Sequence, residues 1–222
     1  MRKIRFILMV AAIVFSFSSM AQLTYGPKLG LNLANVSGDD VENNSMLIGF
    51  NVGGVCNYGI NDMISVQGEL LFDVKGAKYE GEDENGDKKD YPLKLSYINI
   101  PILAQAQFGD EIKFYGELGP TIGLLMGASW DGESEYKVAT GFDITTGQIT
   151  YETKKVKESY KGTDIGLAIG AGAKIPMSSF GLVVGARYNM GLGSIAEDVA
   201  DEKVDMKNGV ISINIAVMFG GN

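Results

Sequence analysis

From Gln22 onward, apolar side chains recur at every second position along the chain, the period of extended backbone rather than of helix. Between 114 and 130 the even positions include Leu118, Ile122, Leu124, Met126, Ala128 and Trp130, while the odd ones include Glu117, Thr121, Gly123, Gly127 and Ser129. Segment 164–175 sets Ile165, Leu167 and Ile169 against Asp164, Gly166 and Gly170. Near the C-terminus Ile211, Ile213, Ile215 and Phe219 oppose Ser212, Asn214 and Ala216. Eight such stretches are predicted, at about 26–36, 47–58, 64–78, 93–108, 112–130, 163–175, 181–192 and 208–219. Their connections alternate. Asn61-Asp62, Gly109-Asp110 and 176–179 are tight turns, whereas 37–46, 79–92, 131–162 and 193–207 are long and polar.

The sign of the alternation separates a water-soluble barrel from a membrane one. A soluble barrel turns its apolar row inward and presents a charged row to water. Here the minority row is mostly Gly, Ala, Thr, Asn and Gln with a few charges, suited to a narrow lumen, and the apolar row is nearly free of charge. The predicted fold is therefore all-β: an eight-stranded, antiparallel, up-and-down transmembrane barrel with long extracellular loops. Leu93 and Leu95 share the parity later taken by Asn99, Pro101, Gln105 and Gln107, so a bulge is expected near Tyr97 to Pro101. Leu71, Leu103 and Leu125 fall on the inward row, which predicts a filled interior. Tyr58, Tyr97, Phe108, Phe114, Trp130, Tyr188 and Phe219 lie near strand ends and are expected to form interfacial girdles.

The first residues change the picture of the compartment. Arg2, Lys3 and Arg5 precede an apolar stretch from Phe6 to Phe17, and Ser19-Met20-Ala21 supplies small residues for a cut before Gln22. Residues 1–21 are expected to be a cleaved export signal and 22–222 the barrel domain. The 1–21 segment holds three of the 19 Lys+Arg and none of the 27 Asp+Glu, leaving 16 against 27, a net charge of −11. Arg187 is then the last arginine, a composition that excludes a nucleic-acid partner. The lone Cys56, on the lipid-facing parity, reads as a small apolar residue rather than a nucleophile.

Arg187-Tyr188-Asn189-Met190-Gly191-Leu192, with Gly26-Pro27-Lys28-Leu29-Gly30, Gln67-Gly68-Glu69-Leu70-Leu71, Tyr97-Ile98-Asn99-Ile100-Pro101 and Tyr115-Gly116-Glu117-Leu118-Gly119-Pro120, resembles the PorT-like outer-membrane β-barrel family of Bacteroidetes-type bacteria. The resemblance spans nearly all of the chain after the signal. It implies an eight-stranded OmpA/OmpX-type barrel in a functionally diverse family, whose named member acts in secretion across the outer membrane.

Candidate chemistry gathers on the inward row, which also carries Gln67, Lys75, Gln105 and Gln107. The candidate set is a lumen charge network of Lys28, Glu69, Asp73, Lys113, Glu117, Asp164, Lys174 and Arg187, with Arg187 expected to pair with Glu69 or Glu117. A catalytic or conducting interior is the alternative to a plug of paired charges. Eight strands enclose a space just wide enough for their own side chains, which favours the plug. Histidine is absent, so triad-type acyl transfer is excluded and no enzyme is expected. Asp83, Asn85 and Asp87 echo a calcium loop, but Gly86 stands at the wrong position and Lys94 falls where the closing Glu belongs. Asn85-Gly86 suits a type I′ turn. No metal or cofactor is expected. The expected partners are membrane lipid and proteins met through loops 79–92 and 131–162, the latter a projecting hairpin. A structural or interaction barrel leads this reading, and a narrow pore for ions or small solutes is the alternative.

Overall fold

The computed structural model describes residues 23–39, 41, 44–82, 86–142, 149–198 and 203–221. Among these residues ten strands follow in chain order: β1 (Leu23–Ser37), β2 (Asn44–Gly59), β3 (Ile64–Glu82), β4 (Lys88–Phe108), β5 (Lys113–Trp130), β6 (Glu135–Phe142), β7 (Ile149–Lys155), β8 (Thr163–Pro176), β9 (Gly181–Gly191) and β10 (Lys207–Gly220). Eight of them close into an antiparallel barrel in the order β1-β10-β9-β8-β5-β4-β3-β2, and β6 pairs only with β7. Each barrel strand adjoins its sequence neighbours, and β1–β10 pairing from Thr24↔Gly220 to Ser37↔Lys207 closes the ring. No sheet edge is left for lipid to meet.

The burial pattern has the opposite sign from a water-soluble protein. On β10, Ile211, Ile213 and Ile215 are 43, 57 and 43 % exposed, whereas Ser212 and Asn214 are 2 and 8 % exposed. Leu29, Leu31, Ile48, Phe50, Leu118 and Ile169 repeat the outward row elsewhere. Leu71, Leu103 and Leu125 lie buried on the inward one. Such a surface is stable only where the solvent is hydrocarbon. Cys56 is exposed on the same outer surface.

Three expectations are corrected. β4 runs without a bulge through Tyr97 to Pro101, and Leu93, Leu95, Tyr97, Asn99 and Pro101 all point inward. The irregularity sits across the ladder on β5. Ser96 opposes Gly127 and Tyr97 opposes Leu125, so Met126 is the extra residue and the parity of β5 reverses beyond it. Ala128 consequently turns inward and is buried, against its expected place on the lipid row. Tyr97, with no exposed surface, belongs to the interior rather than to an aromatic girdle.

These corrections share one cause. Leu93, Leu95, Tyr97, Leu125 and Ala128 form an apolar cluster with Val156 and Ile195, two residues from the long connections. The lumen is thus apolar at its extracellular end, and apolar side chains on the inward row belong there. Val156 opens a 3-10 turn (Val156–Ser159) after β7, and its N–H donates to Ser134 O at 2.9 Å. Ile195 is held by its N–H to Met206 O at 2.7 Å and by Lys161 N–H to its own carbonyl at 2.7 Å. β3 and β4 continue as a ribbon to Glu82↔Lys88, so much of 79–92 is strand. The three tight turns, the start of β1 at Leu23 and the end of β10 at Gly220 lie at the other rim, the periplasmic end of such barrels.

Candidate functional site

The lumen charges sort into layers along the barrel axis. In the middle layer Glu69 of β3 accepts two hydrogen bonds from Lys28 Nζ, at 2.8 and 2.9 Å. It also accepts a bidentate pair from Arg187, Nη1 to Oε2 and Nη2 to Oε1, both at 2.8 Å. Arg187 Nε donates to Glu117 Oε1 at 2.7 Å. Gln67 Nε2 donates to Glu69 Oε1 at 2.6 Å, and Gln105 Nε2 donates to Glu117 Oε2 at 3.0 Å. Two cations and two carboxylates, all buried, neutralise one another, and amides fill the remaining acceptor sites. That meets the conditions for burying charge, pairing of opposite signs and hydrogen bonds to both carboxylates.

Small residues make the room. A Cβ on Gly170 would stand 2.8 Å from Glu117 Oε1, and one on Gly172 or Gly185 would stand 2.6 or 2.4 Å from the Tyr115 hydroxyl oxygen. What remains between Lys28, Gln67, Tyr115, Glu117 and Arg187 is a cavity of about 20 Å³. That holds roughly one water.

A second layer lies toward the extracellular end. Lys75 Nζ is 3.2 Å from Asp164 Oδ2 and 3.8 Å from Asp73 Oδ2, and its ammonium stands 5.0 Å from the centre of the Tyr97 ring. Asn32 and Asn99 donate to Asp73 at 2.6 and 3.2 Å, and Asn208 donates to Asp164 at 2.9 Å. The apolar cluster around Leu93 and Ile195 caps this layer.

The third group stands apart. Lys113 and Lys174 face each other directly across the β5–β8 ladder near the periplasmic rim. Lys174 donates to Gln107 Oε1 at 2.8 Å and lies 5.5 Å from the Tyr115 ring centre. Among the described residues neither lysine has an ion-pair partner. The eight candidates therefore divide: Lys28, Glu69, Glu117 and Arg187 meet in one cluster, Asp73 and Asp164 meet through Lys75, and Lys113 and Lys174 pair with no carboxylate. Asn32, Asn99 and Asn208, which complete the second layer, carry no charge to single them out. Their only signal is the inward parity.

No group of three or more metal-ligating side chains occurs among the described residues. Asp83, Glu84 and Asn85, on which the calcium-loop and type I′ turn readings fall, lie outside them.

Comparison with known proteins gives a family match and fold-level likenesses. The model of the family described as outer membrane protein beta-barrel domain matches residues 16–197. Among solved structures, Ail, the attachment invasion locus protein of Yersinia pestis, in complex with the heparin analogue sucrose octasulfate, is similar at 16 % identity. The similarity covers 89 % of this chain and 99 % of that one, with a TM-score of 0.44. Neisserial surface protein A is similar at 16 % identity over 89 % of this chain and 96 % of that one, TM-score 0.44. The N-terminal β-barrel domain of Pseudomonas aeruginosa OprF is similar at 11 % identity over 89 and 98 %, TM-score 0.36. No curated protein matches the sequence.

Proposed function

Because the chain belongs to the outer membrane protein β-barrel domain family and resides in the bacterial outer membrane, we propose that it is a closed, non-catalytic surface barrel that presents its extracellular ribbons to partners. The observation that carries this reading is the interior: a neutralised ion-pair layer with about 20 Å³ of free space, under an apolar cap. A conduit needs a continuous wetted path, and a lumen enzyme needs substrate at its carboxylates. Neither Glu69 nor Glu117 has room beside it for more than roughly one water. The ribbons supply the surface. β6 and β7 pair only with each other, and the β3–β4 ribbon reaches Glu82 and Lys88. Exposed strand edges of this kind accept partner strands.

In this reading residues 1–21 are removed on export, and secretion machinery, the association that the PorT-like resemblance implies, is one class of partner for the ribbons. Planar-bilayer recording of the refolded chain tests closure. No steady conductance at modest voltage is expected, and stable unitary current would favour the narrow-pore alternative. Crosslinking from engineered positions in 131–162 on whole cells tests the partner role. A discrete crosslinked protein is expected, and an uncrosslinked barrel at every position would remove that role.

A further inference from the structure

The turn after β5 builds a pocket that the lumen layers do not use. Trp130 and Glu133 exchange both backbone hydrogen bonds, at 2.8 and 2.9 Å, and Asp131 N–H donates to Pro92 O at 2.9 Å. Asp131 and Gly132 have φ of 48 and 88°, the left-handed pair of a type I′ turn, and Asp131 is the one non-glycine with positive φ among the described residues. Three backbone hydrogen bonds thus fix the turn, whose Asp-Gly pair suits its two left-handed positions. Beside this turn lies a cavity of about 580 Å³ walled by the rings of Tyr91, Trp130, Tyr136 and Tyr160. Trp130 is braced by a tilted ring contact with Tyr79, ring centres 5.1 Å apart, and the Tyr136 hydroxyl is 3.3 Å from Ser159 Oγ. Burial pushes the Tyr160 phenol well above its usual range, so that wall stays neutral.

Three carboxylates, Asp131, Glu133 and Glu135, also line the cavity. Lys89 Nζ meets Asp131 at 2.7 Å, whereas Glu133 and Glu135 have no ion-pair partner among the described residues. Aromatic faces and surplus negative charge select a cation that does not need to keep its water, which an alkylated ammonium satisfies and a bare metal ion or a neutral sugar does not. The molecule already shows the pairing at the pocket's edge. The Lys89 ammonium stands 4.9 Å from the Tyr91 ring centre while bonded to Asp131.

We propose that the pocket between Trp130, Tyr136, Tyr160 and the Glu133/Glu135 carboxylates binds a small organic ammonium ligand of the choline type. The inference rests on the surface-interaction reading above and gives it a ligand chemistry.

Trp130 is the only tryptophan in the 222 residues, so its fluorescence reports the pocket directly. The test uses the full chain in maltoside micelles, a detergent without an ammonium head group, titrated with choline chloride at constant ionic strength. A saturable change in Trp130 emission is expected. The neutral isostere 3,3-dimethylbutan-1-ol should bind about tenfold more weakly, and the pair Glu133→Gln/Glu135→Gln should weaken choline about fivefold with heat-modifiable mobility intact. The proposal is overturned by any of four results: no saturable response, equal affinity for the neutral alcohol, wild-type affinity in the double variant, or a response to a lysine-rich peptide but not to choline. Conductance from the same preparation would count against the closed barrel without touching the choline result. Silence in both assays would remove only this site.

Discussion

Arg187 holds two carboxylates at once, and the consequences of losing it can be argued residue by residue. In Arg187→Met, Lys28 still neutralises Glu69, but Glu117 is left buried with only Gln105 as a side-chain donor among the described residues. Breaking a buried pair from one side costs about 3–5 kcal/mol, because the abandoned charge has no water to return to. The expected outcome is a loss of that size in equilibrium urea unfolding in micelles, with part recovered in Arg187→Met/Glu117→Gln. Arg187→Lys keeps the charge but loses the bidentate grip on Glu69, and should fall between wild type and Met. Lys113 and Lys174 call for the opposite prediction. Like charges directly opposite on adjacent strands repel, so Lys174→Glu should gain about 0.2–1 kcal/mol at low salt, shrinking as salt is added. The same urea titration at two ionic strengths reads both the sign and the screening.

At the scale of strands, each face has one requirement and a substitution can be aimed at it. Ile213 lies midway along β10 on the outward row, opposite Leu31 and Ala186. Ile213→Arg should cost about 2–4 kcal/mol in a bilayer refolding assay, the depth-dependent cost of arginine on a lipid face. The β6–β7 ribbon makes the contrasting case, since it pairs with no barrel strand. Replacing 138–152 with a short glycine-serine turn should leave heat-modifiable mobility and urea midpoint unchanged within error. A misfolded product would mean that the ribbon is part of the barrel's stability. The strands themselves were legible in the chain, 181–192 against Gly181–Gly191 and 64–78 within Ile64–Glu82, because lipid keeps the outward row apolar across the membrane and so leaves a period of two along most of each strand. The extracellular plug was not. Leu93 and Leu95 broke the rule that inward means polar, and a bulge on β4 was the local remedy, but the true cause lay in Val156 and Ile195, two residues in aperiodic connections. Likewise Glu69, Glu117 and Arg187 could be placed on one face from their parity, while the joining of Asp73 to Asp164 through Lys75 depended on strand register that no local pattern states.

Considered whole, the molecule is a ring with two different ends. One end carries tight turns, the start of β1, the end of β10 and aromatic rings such as the Phe108–Phe114 pair, 5.9 Å between centres. The other carries the apolar cap, the ribbons and the aromatic, acidic pocket. Between them the ion-pair layers fill the middle of the interior, with a cavity of about 430 Å³ lined by Gln67, Lys113 and Lys174 on the periplasmic side, and the exterior is a nearly uncharged apolar band. This arrangement requires that the outward and inward rows keep their assignment along every barrel strand. The most direct measurement is nitroxide scanning of β10 in liposomes, on a Cys56→Ser background, with labels placed one at a time from Ile211 to Ile215. Oxygen accessibility should be high at 211, 213 and 215 and low at 212 and 214, with a water-soluble nickel relaxant excluded from the high positions. Accessibility of the opposite parity, or nickel access at 211, 213 and 215, would contradict the account.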